Sequence, residues 1–393
     1  MQSKTILYLA AYLPVLGMHG GGTRMFHNLR ILAEKHRVIL LCFTESEEET
    51  SLLEPLARLG MEVKPILRIP CSPNNWLMPR PREHDEYASP EMKRLVRDVL
   101  SRETVDVIQA EYLQMGQQVP EDFHGLKILT EHEVHFANFW TDFRSEKRVF
   151  PKLRRYYDWL VQFNYEVRTC RRFDRVVCMT EADARRLSQF VESRKLLSIP
   201  IGVDCHYFGR TEAAVPQVQH PRLIFVGNYR HIPNRDAVTY FVRKIFPSVR
   251  QAVPEAEFRI VGANTPLLDL PDQPGVVRQG YAEDLRQVYD SAAVFVSPIR
   301  LGNGMRVKLL EAFSMEMAVV STSLAASGFG IQADQHLLIA NSTAEFVRQT
   351  VRLLKDPGLC HTLGRNARRL VEEKYDWKVL ANDFLKLVEV SNG

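Results

Sequence analysis

Short runs of consecutive apolar residues alternate with longer stretches of helical period along most of the chain. The runs Thr5–Ala10, Arg37–Phe43, Val105–Gln109, Leu126–Thr130 and Arg175–Met179 are bounded by polar or turn residues and predict strands. They are continuously apolar rather than alternating, the pattern of a parallel sheet covered on both faces. A helix is predicted from Thr23 to Glu34, following Gly20-Gly21-Gly22.

The alternation pauses after IPIGVDCHYF at 199–208. Residues 209–220 are polar, contain Pro216 and lack periodicity, so they read as a linker. It then restarts, with strands Leu223–Val226, Glu257–Val261, Val294–Val296 and Ala318–Ser321. Helices are predicted over 235–249, 284–291, 347–354 and 361–375, with a last one from about Trp377 to Val388. The expected class is α/β: two doubly wound, Rossmann-like domains, 1–208 and 221–375, joined by the linker and followed by 376–393. Such folds bind ligands at the carboxyl ends of their strands, which predicts a cleft between two sheets.

Composition narrows the function classes. Apolar residues make up 45% and charged residues 25%, ordinary for a globular chain. No apolar run reaches the roughly 18 residues of a membrane span. The first 22 residues read as a first strand and glycine turn rather than a signal peptide. A net charge of +4, with no zinc-type Cys/His spacing and no nucleic-acid motif, points away from metal and nucleic-acid partners. Six cysteines are scattered without a C-x-x-C pair, which predicts free thiols in a reducing cytoplasm.

Residues 297–322, SPIRLGNGMRVKLLEAFSMEMAVVST, concentrate the chemistry. A strand enters a loop with Gly302, Asn303, Gly304 and Met305, then Arg306 and Lys308 precede a helix carrying Glu311, and a second strand follows. Glycines let a ligand approach the backbone, the cations suit a diphosphate, and a carboxylate accepts from sugar hydroxyls. This string resembles the nucleotide-sugar signature of family 4 retaining glycosyltransferases, in a variant with R-x-K-x-x-E-A. Also similar to that family are PIGVD at 200–204, CMTEADARRL at 178–187, FVGNYRHIPNRDAV at 225–238 and GYAEDLRQVYDSAAVFVSP at 280–298.

The resemblance implies the GT-B fold, with an N-terminal acceptor-side domain, a C-terminal donor domain and a final helix returning to the first domain. It implies a retaining transfer of sugar from a nucleotide diphosphate-sugar to a hydroxyl acceptor, with no further cofactor, by an enzyme expected in the cytoplasm. Glu311 would hold the ribose; Arg306, Lys308 and the Gly20, Gly21 and Gly22 loop the diphosphate; Gly280, Tyr281 and Glu283 would meet the base. Gly227 and Arg230 belong to the donor-side turn. His132, after strand KILT, matches a histidine placed near the donor sugar, with His135 three residues on. Glu131 and Glu133 flank it, and either is able to hold its ring or meet acceptor hydroxyls. Glu111 resembles an acceptor-side residue, or is a solvated loop carboxylate.

Two positions depart from the family pattern. Asn228 follows Gly227 where many members have Arg, and Pro233-Asn234 stand where a Lys is expected, so Arg306 and Lys308 are left to supply the charge. Position 303 is Asn rather than Glu. That keeps open a nucleotide-sugar-binding partner protein without turnover, and an epimerase of the same fold. A dehydrogenase is disfavoured, since no G-x-G-x-x-G follows the first strand. Finally, residues 144–172 hold nine Lys/Arg against three acids, interleaved with aromatics. Helical periodicity favours packing of the aromatic stripe on the first domain; the alternative is peripheral contact with anionic lipid or a lipid-diphosphate acceptor. The sequence leaves the oligomeric state open.

Overall fold

The computed structural model describes residues 3–17, 20–69, 79–210, 221–302 and 305–389. The chain runs β1 (Thr5–Ala10), α1 (Gly20–Ala33), β2 (Arg37–Thr44), α2 (Glu54–Ala57), β3 (Glu62–Leu67), α3 (Arg82–Glu86), α4 (Pro90–Arg102) and β4 (Val107–Glu111). Then come β5 (Leu126–Glu131), α5 (His135–Ser145), α6 (Val149–Arg171), β6 (Arg175–Cys178), α7 (Glu181–Leu187) and β7 (Leu196–Ser198). The rest is β8 (Arg222–Val226), α8 (Ile232–Tyr240), α9 (Phe246–Ala252), β9 (Glu257–Val261), β10 (Val276–Gly280), α10 (Leu285–Asp290), β11 (Val294–Ser297), α11 (Val307–Ser314) and β12 (Ala318–Ser321). It closes with β13 (Leu338–Ile339), α12 (Thr343–Lys355), α13 (Pro357–Lys374) and α14 (Trp377–Glu389).

Two compact units result: residues 1–200 with 381–393, and residues 201–380. In the first, seven strands pair in the order β3-β2-β1-β4-β5-β6-β7, all parallel. In the second, six pair in the order β10-β9-β8-β11-β12-β13, again all parallel. In both, strand order reverses beside the first strand, at β1/β4 and at β8/β11, and a crevice opens at such a point. The central strands are buried along their whole length, as their unbroken apolar character requires. The two parallel-sheet α/β halves expected from the sequence are both present.

Several elements differ from the expectation. Strand β4 runs two residues further than the apolar run, to Glu111, and β5 ends one residue later, at Glu131. The predicted 235–249 helix divides into α8, a π-turn over 241–245 and α9. Pro247, in the first turn of α9, has no N–H to continue the ladder. Strands β3 and β10 went unpredicted because they are partly exposed edge strands with polar residues and no apolar run. Residues 201–208 fold with the second unit: Val203 bridges Asp376, and the Phe208 carbonyl accepts from Ser314 Oγ and Arg368 Nη1. Positions 211–220 of the expected linker lie outside the described residues. No helix among the described residues is long and apolar enough to cross a membrane.

Candidate functional site

In the second unit, chemistry gathers at the β8/β11 reversal. Helix α11 places Lys308 and Glu311 on one face, three residues apart. Tyr289 donates its hydroxyl to Glu311 Oε2 at 2.9 Å. Burial raises the Glu311 carboxyl, and Tyr289 and Lys308 partly hold it down. Lys308 Nζ donates to Asn234 Oδ1 at 2.7 Å and sits 4.5 Å from the Phe225 ring centroid. Burial, with Arg306 close by, pushes Lys308 down to about 7.

The turn after β8 is built to stay narrow. A Cβ at Gly227 would meet the Asn234 side chain at 3.0 Å and Lys308 Nζ at 3.2 Å. Gly262, at φ +127°, lies so close that a Cβ there would overlap the Gly227 carbonyl. Asn234 also donates to the Asn228 carbonyl, at 2.8 Å. The asparagine at the position where a lysine was expected thus ties Lys308, one helix away, to this turn.

Arg306 immediately precedes α11 and folds back, Nη2 donating to the Gly302 carbonyl at 2.8 Å. Gly302 has φ +80°. Met305 is half-buried, and Asn303 and Gly304 lie outside the described residues. At the end of β10, Gly280 takes φ +79° and its carbonyl accepts from Gly262 N at 2.7 Å. Tyr281, Glu283 and Arg230 are exposed.

The first unit has a second constellation, at the β1/β4 reversal. Glu111, the last residue of β4, is 1% exposed, so the solvated loop carboxylate is ruled out. Its Oε1 accepts from the Tyr8 hydroxyl (2.8 Å), Gln109 Nε2 (2.7 Å) and Thr130 Oγ1 (2.8 Å). Its Oε2 meets His132 Nε2 at 2.7 Å. Tyr112 stacks on the His132 ring, centroids 3.7 Å apart and planes 6° from parallel. Tyr112 holds φ +74°, a strained value for a non-glycine residue.

The electrostatics assign the protons. Burial pushes Glu111 up, but the His132 hydrogen bond, the Arg24 charge and the Tyr8 hydroxyl hold it below the ordinary carboxylate value. Burial pushes His132 down, beyond what Glu111 restores. The pair is therefore a carboxylate and a neutral imidazole whose Nε2–H donates, which leaves the lone pair on Nδ1. Buried Arg24 of α1 donates Nη1 to the Pro200 carbonyl at 2.6 Å, while its Nε and Nη2 have no partner.

The neighbouring candidates go elsewhere. The His132 ring is held by Glu111, not by either flanking glutamate. Glu131 is 2% exposed and has no hydrogen-bond partner; burial and nearby Glu166 raise its carboxyl. Glu133 accepts from Asn138 at 2.8 Å. His135 opens α5, its backbone N donating to Glu166 at 3.0 Å. Gly20, Gly21 and Gly22 form the first turn of α1 in helical conformation, without positive φ. The backbone there has no need of glycine, and three glycines in a helix are costly, at about 1 kcal/mol each relative to Ala.

Sequence reasoning missed Tyr8, Arg24, Tyr112 and Tyr289, and read Asn234 only as a replaced lysine. Their one legible signal was a polar residue inside an apolar run, as with Tyr8 in β1.

Comparison with known proteins places this geometry. Residues 18–207 match the model of Glycosyltransferase Family 4, and residues 220–356 that of Glycosyl transferases group 1. A Klebsiella pneumoniae uncharacterized 44.6 kDa protein in the cps region is 24% identical over 271 residues, covering 66% of this chain and 68% of that one. Among solved structures, sucrose-phosphate synthase from Thermosynechococcus elongatus superposes with TM-score 0.74 at 15% identity, covering 98% of each chain. Anabaena HepE in complex with UDP gives 0.71 at 11% identity, covering 97% of this chain and 98% of that one. TarM gives 0.69 at 11%, covering 99% of both. The chain has the GT-B fold, and the family matches in both of its halves support a glycosyltransferase.

Proposed function

We propose that the protein transfers a sugar from a nucleotide diphosphate-sugar to a hydroxyl acceptor with retention of anomeric configuration. The observation that carries this reading is the α11 face, where a cation, Lys308, and a carboxylate, Glu311, stand together at a strand-order reversal. A diphosphate on Lys308 and Arg306, with a ribose on Glu311, uses each group for what it binds best; for Gly20, Gly21 and Gly22 of the first unit, phosphate contact is proposed from the family resemblance alone. Gly227, Arg230, Gly280, Tyr281 and Glu283 complete the nucleotide side. HepE structures hold UDP and UDP-glucose, so a uridine diphosphate donor is the first to test here.

His132 serves the sugar. Its Nδ1 lone pair accepts from a sugar hydroxyl and orients the ring, with Glu111 fixing the tautomer. Glu133 and His135, both half-buried, are assigned to the acceptor side of the first unit, while buried Glu131 takes no part in it. The acceptor oxygen bonds to the anomeric carbon on the face from which the diphosphate leaves. The acceptor proton passes to the departing phosphate oxygen, so no protein nucleophile is required. The protein's contribution is alignment and stabilisation of the leaving charge.

Asn303, in place of the family's Glu, favours a second reading: donor binding without transfer. The test serves both. UDP, GDP, ADP and TDP, with their sugar conjugates, are screened for thermal stabilisation. Binding raises the midpoint by mass action, worth about 2.7 kcal/mol at 100 times Kd. One nucleotide should stabilise the wild type and fail with Glu311→Ala; hydrolysis or transfer of the bound sugar then separates enzyme from binder. Stabilisation by none of them, or equal stabilisation of Glu311→Ala, would sink the donor assignment.

A further inference from the structure

From Ala137 to Val161 not one residue is buried, although the stretch carries Phe139, Trp140, Phe143, Val149, Phe150, Leu153, Tyr156, Tyr157, Trp159 and Leu160. Ala137 and Trp159 pack against the core of the first unit, but so long a run of such side chains with none fully buried needs an explanation. Helices α5 and α6 form a hairpin with its base in the first unit. Glu166 of α6 accepts from the first two backbone N–H groups of α5, at His135 (3.0 Å) and Phe136 (2.8 Å). Above that base the two helices are joined by an aromatic ladder. Trp140 lies 4.8 Å from Trp159, Phe143 lies 5.3 Å from Tyr156, and Trp159 lies 5.5 Å from Phe163. The ladder absorbs most of the aromatic surface and stiffens the hairpin.

The apex is left over. Val149, Phe150 and Leu153 share one face of the first turns of α6 and are 70%, 84% and 62% exposed. Around them, residues 142–158 hold six Lys/Arg (144, 147, 148, 152, 154, 155) against three acids (142, 146, 158). The acids are partly engaged: Glu146 pairs with Arg148 and Arg155, and Asp158 with Arg154. Arg144, Lys147 and Lys152 form no ion pair with any described residue.

We infer that this apex docks on an anionic lipid bilayer. Phe150, Val149 and Leu153 enter the headgroup boundary, Arg144, Lys147 and Lys152 meet lipid phosphates, and Trp140 and Tyr156 sit at the interfacial level below. Charge complementarity selects this occupant over a second copy of the chain. Two apices would bring like charges together, and three side chains offer a few hundred Å² at most, short of the ~800 Å² per partner of a stable dimer. The inference is independent of the transfer reading, because docking is measured without any sugar nucleotide.

The full chain is floated with vesicles of phosphatidylcholine alone and with about a third phosphatidylglycerol, at low salt and at roughly 0.5 M NaCl. The expected result is binding to the anionic vesicles only, weakened by salt, with a blue shift of tryptophan emission. The double variant Phe150→Asp/Leu153→Asp should bind at least tenfold less, and Lys147→Glu/Lys152→Glu should lose the anionic preference. Phe150, Leu153 and Lys147 are exposed and Lys152 is half-buried over the Phe143 ring, and unaltered circular dichroism and Tm show that the fold is kept. Three results overturn the inference: no binding to either vesicle; binding unchanged in the Phe150/Leu153 variant; or a wild-type dimer on sedimentation that this variant dissociates, which would make the apex a self-interface.

Discussion

At the residue scale, two groups are tuned by what surrounds them. Lys308, at about 7 without ligand, gains a strong reason to stay charged when a diphosphate arrives. Its pKa then rises, so binding above pH 7 takes up a proton. Nucleoside diphosphate affinity should fall by up to tenfold per pH unit from 7 upward, until the pKa of the bound form is reached. Calorimetry in buffers of different ionisation enthalpy should show this uptake, and Lys308→Gln should abolish it while weakening binding by about 1.5–3 kcal/mol. Uptake that persists in the variant would assign the proton to another group. The second tuned group is His132. Glu111→Gln keeps the shape of the site but offers an N–H to Nε2, which moves the imidazole proton to Nδ1 and turns an acceptor toward substrate into a donor. Nitrogen NMR should find the wild-type proton on Nε2 and the variant proton on Nδ1, with kcat reduced ten- to a hundredfold and KM little changed.

At the element scale, the position of α11 depends on how closely α13 packs against it. Gly364 of α13 lies against the backbone of Glu316, just past the end of α11, where φ is +52°. A Cβ at 364 would overlap the Glu316 carbonyl, and backbone does not give way as a long side chain does. Gly364→Ala should therefore cost about 2–3 kcal/mol by denaturant titration, although alanine is the better helix former. A neutral or stabilising result would show that α13 shifts freely. The same helix supplies Arg368, whose guanidinium donates to the carbonyls of Phe208 (2.7 Å) and Cys205 (2.9 Å). That anchoring is why 201–208 folds with the second unit. The sequence around 200–208 showed an apolar segment ending in a polar one, but an arginine 160 residues downstream cannot be read from local pattern.

At the scale of the whole molecule, the first unit depends on chain from both ends of the sequence. The last thirteen residues, 381–393, belong to the first unit, with Phe384, Leu385, Leu387 and Val388 buried. Lys4 Nζ donates to the Val388 carbonyl at 2.6 Å, and the Arg24 guanidinium lies 5.0 Å from the Phe384 ring centroid. Exposing four such side chains costs about 1.5–3 kcal/mol each, a sum comparable with the ~5–15 kcal/mol stability of a domain. Truncation after Leu380 should therefore unfold or precipitate the protein through its first unit, even though the whole of 201–380 separates the cut from that unit's other segment. A truncated protein with an unchanged melting profile would refute this.

What the sequence determined by itself was whatever local chemistry enforces. Continuous apolar runs have to become buried parallel strands, so Thr5–Ala10, Glu257–Val261 and Ala318–Ser321 were legible to the residue. The 302–311 string marked Lys308 and Glu311 because glycine, cation and carboxylate must lie close along the chain to open a helix on an anion. Tertiary structure alone decided the rest. Glu111 and His132 are 21 residues apart and meet only because β4 and β5 pair in register. Asn234 reaches Lys308 across 74 residues because α8 and α11 follow adjacent strands of one sheet. Glu131, one residue from His132, is buried near Glu166 instead, since side chains alternate along a strand and spacing in sequence does not say which neighbour will be near.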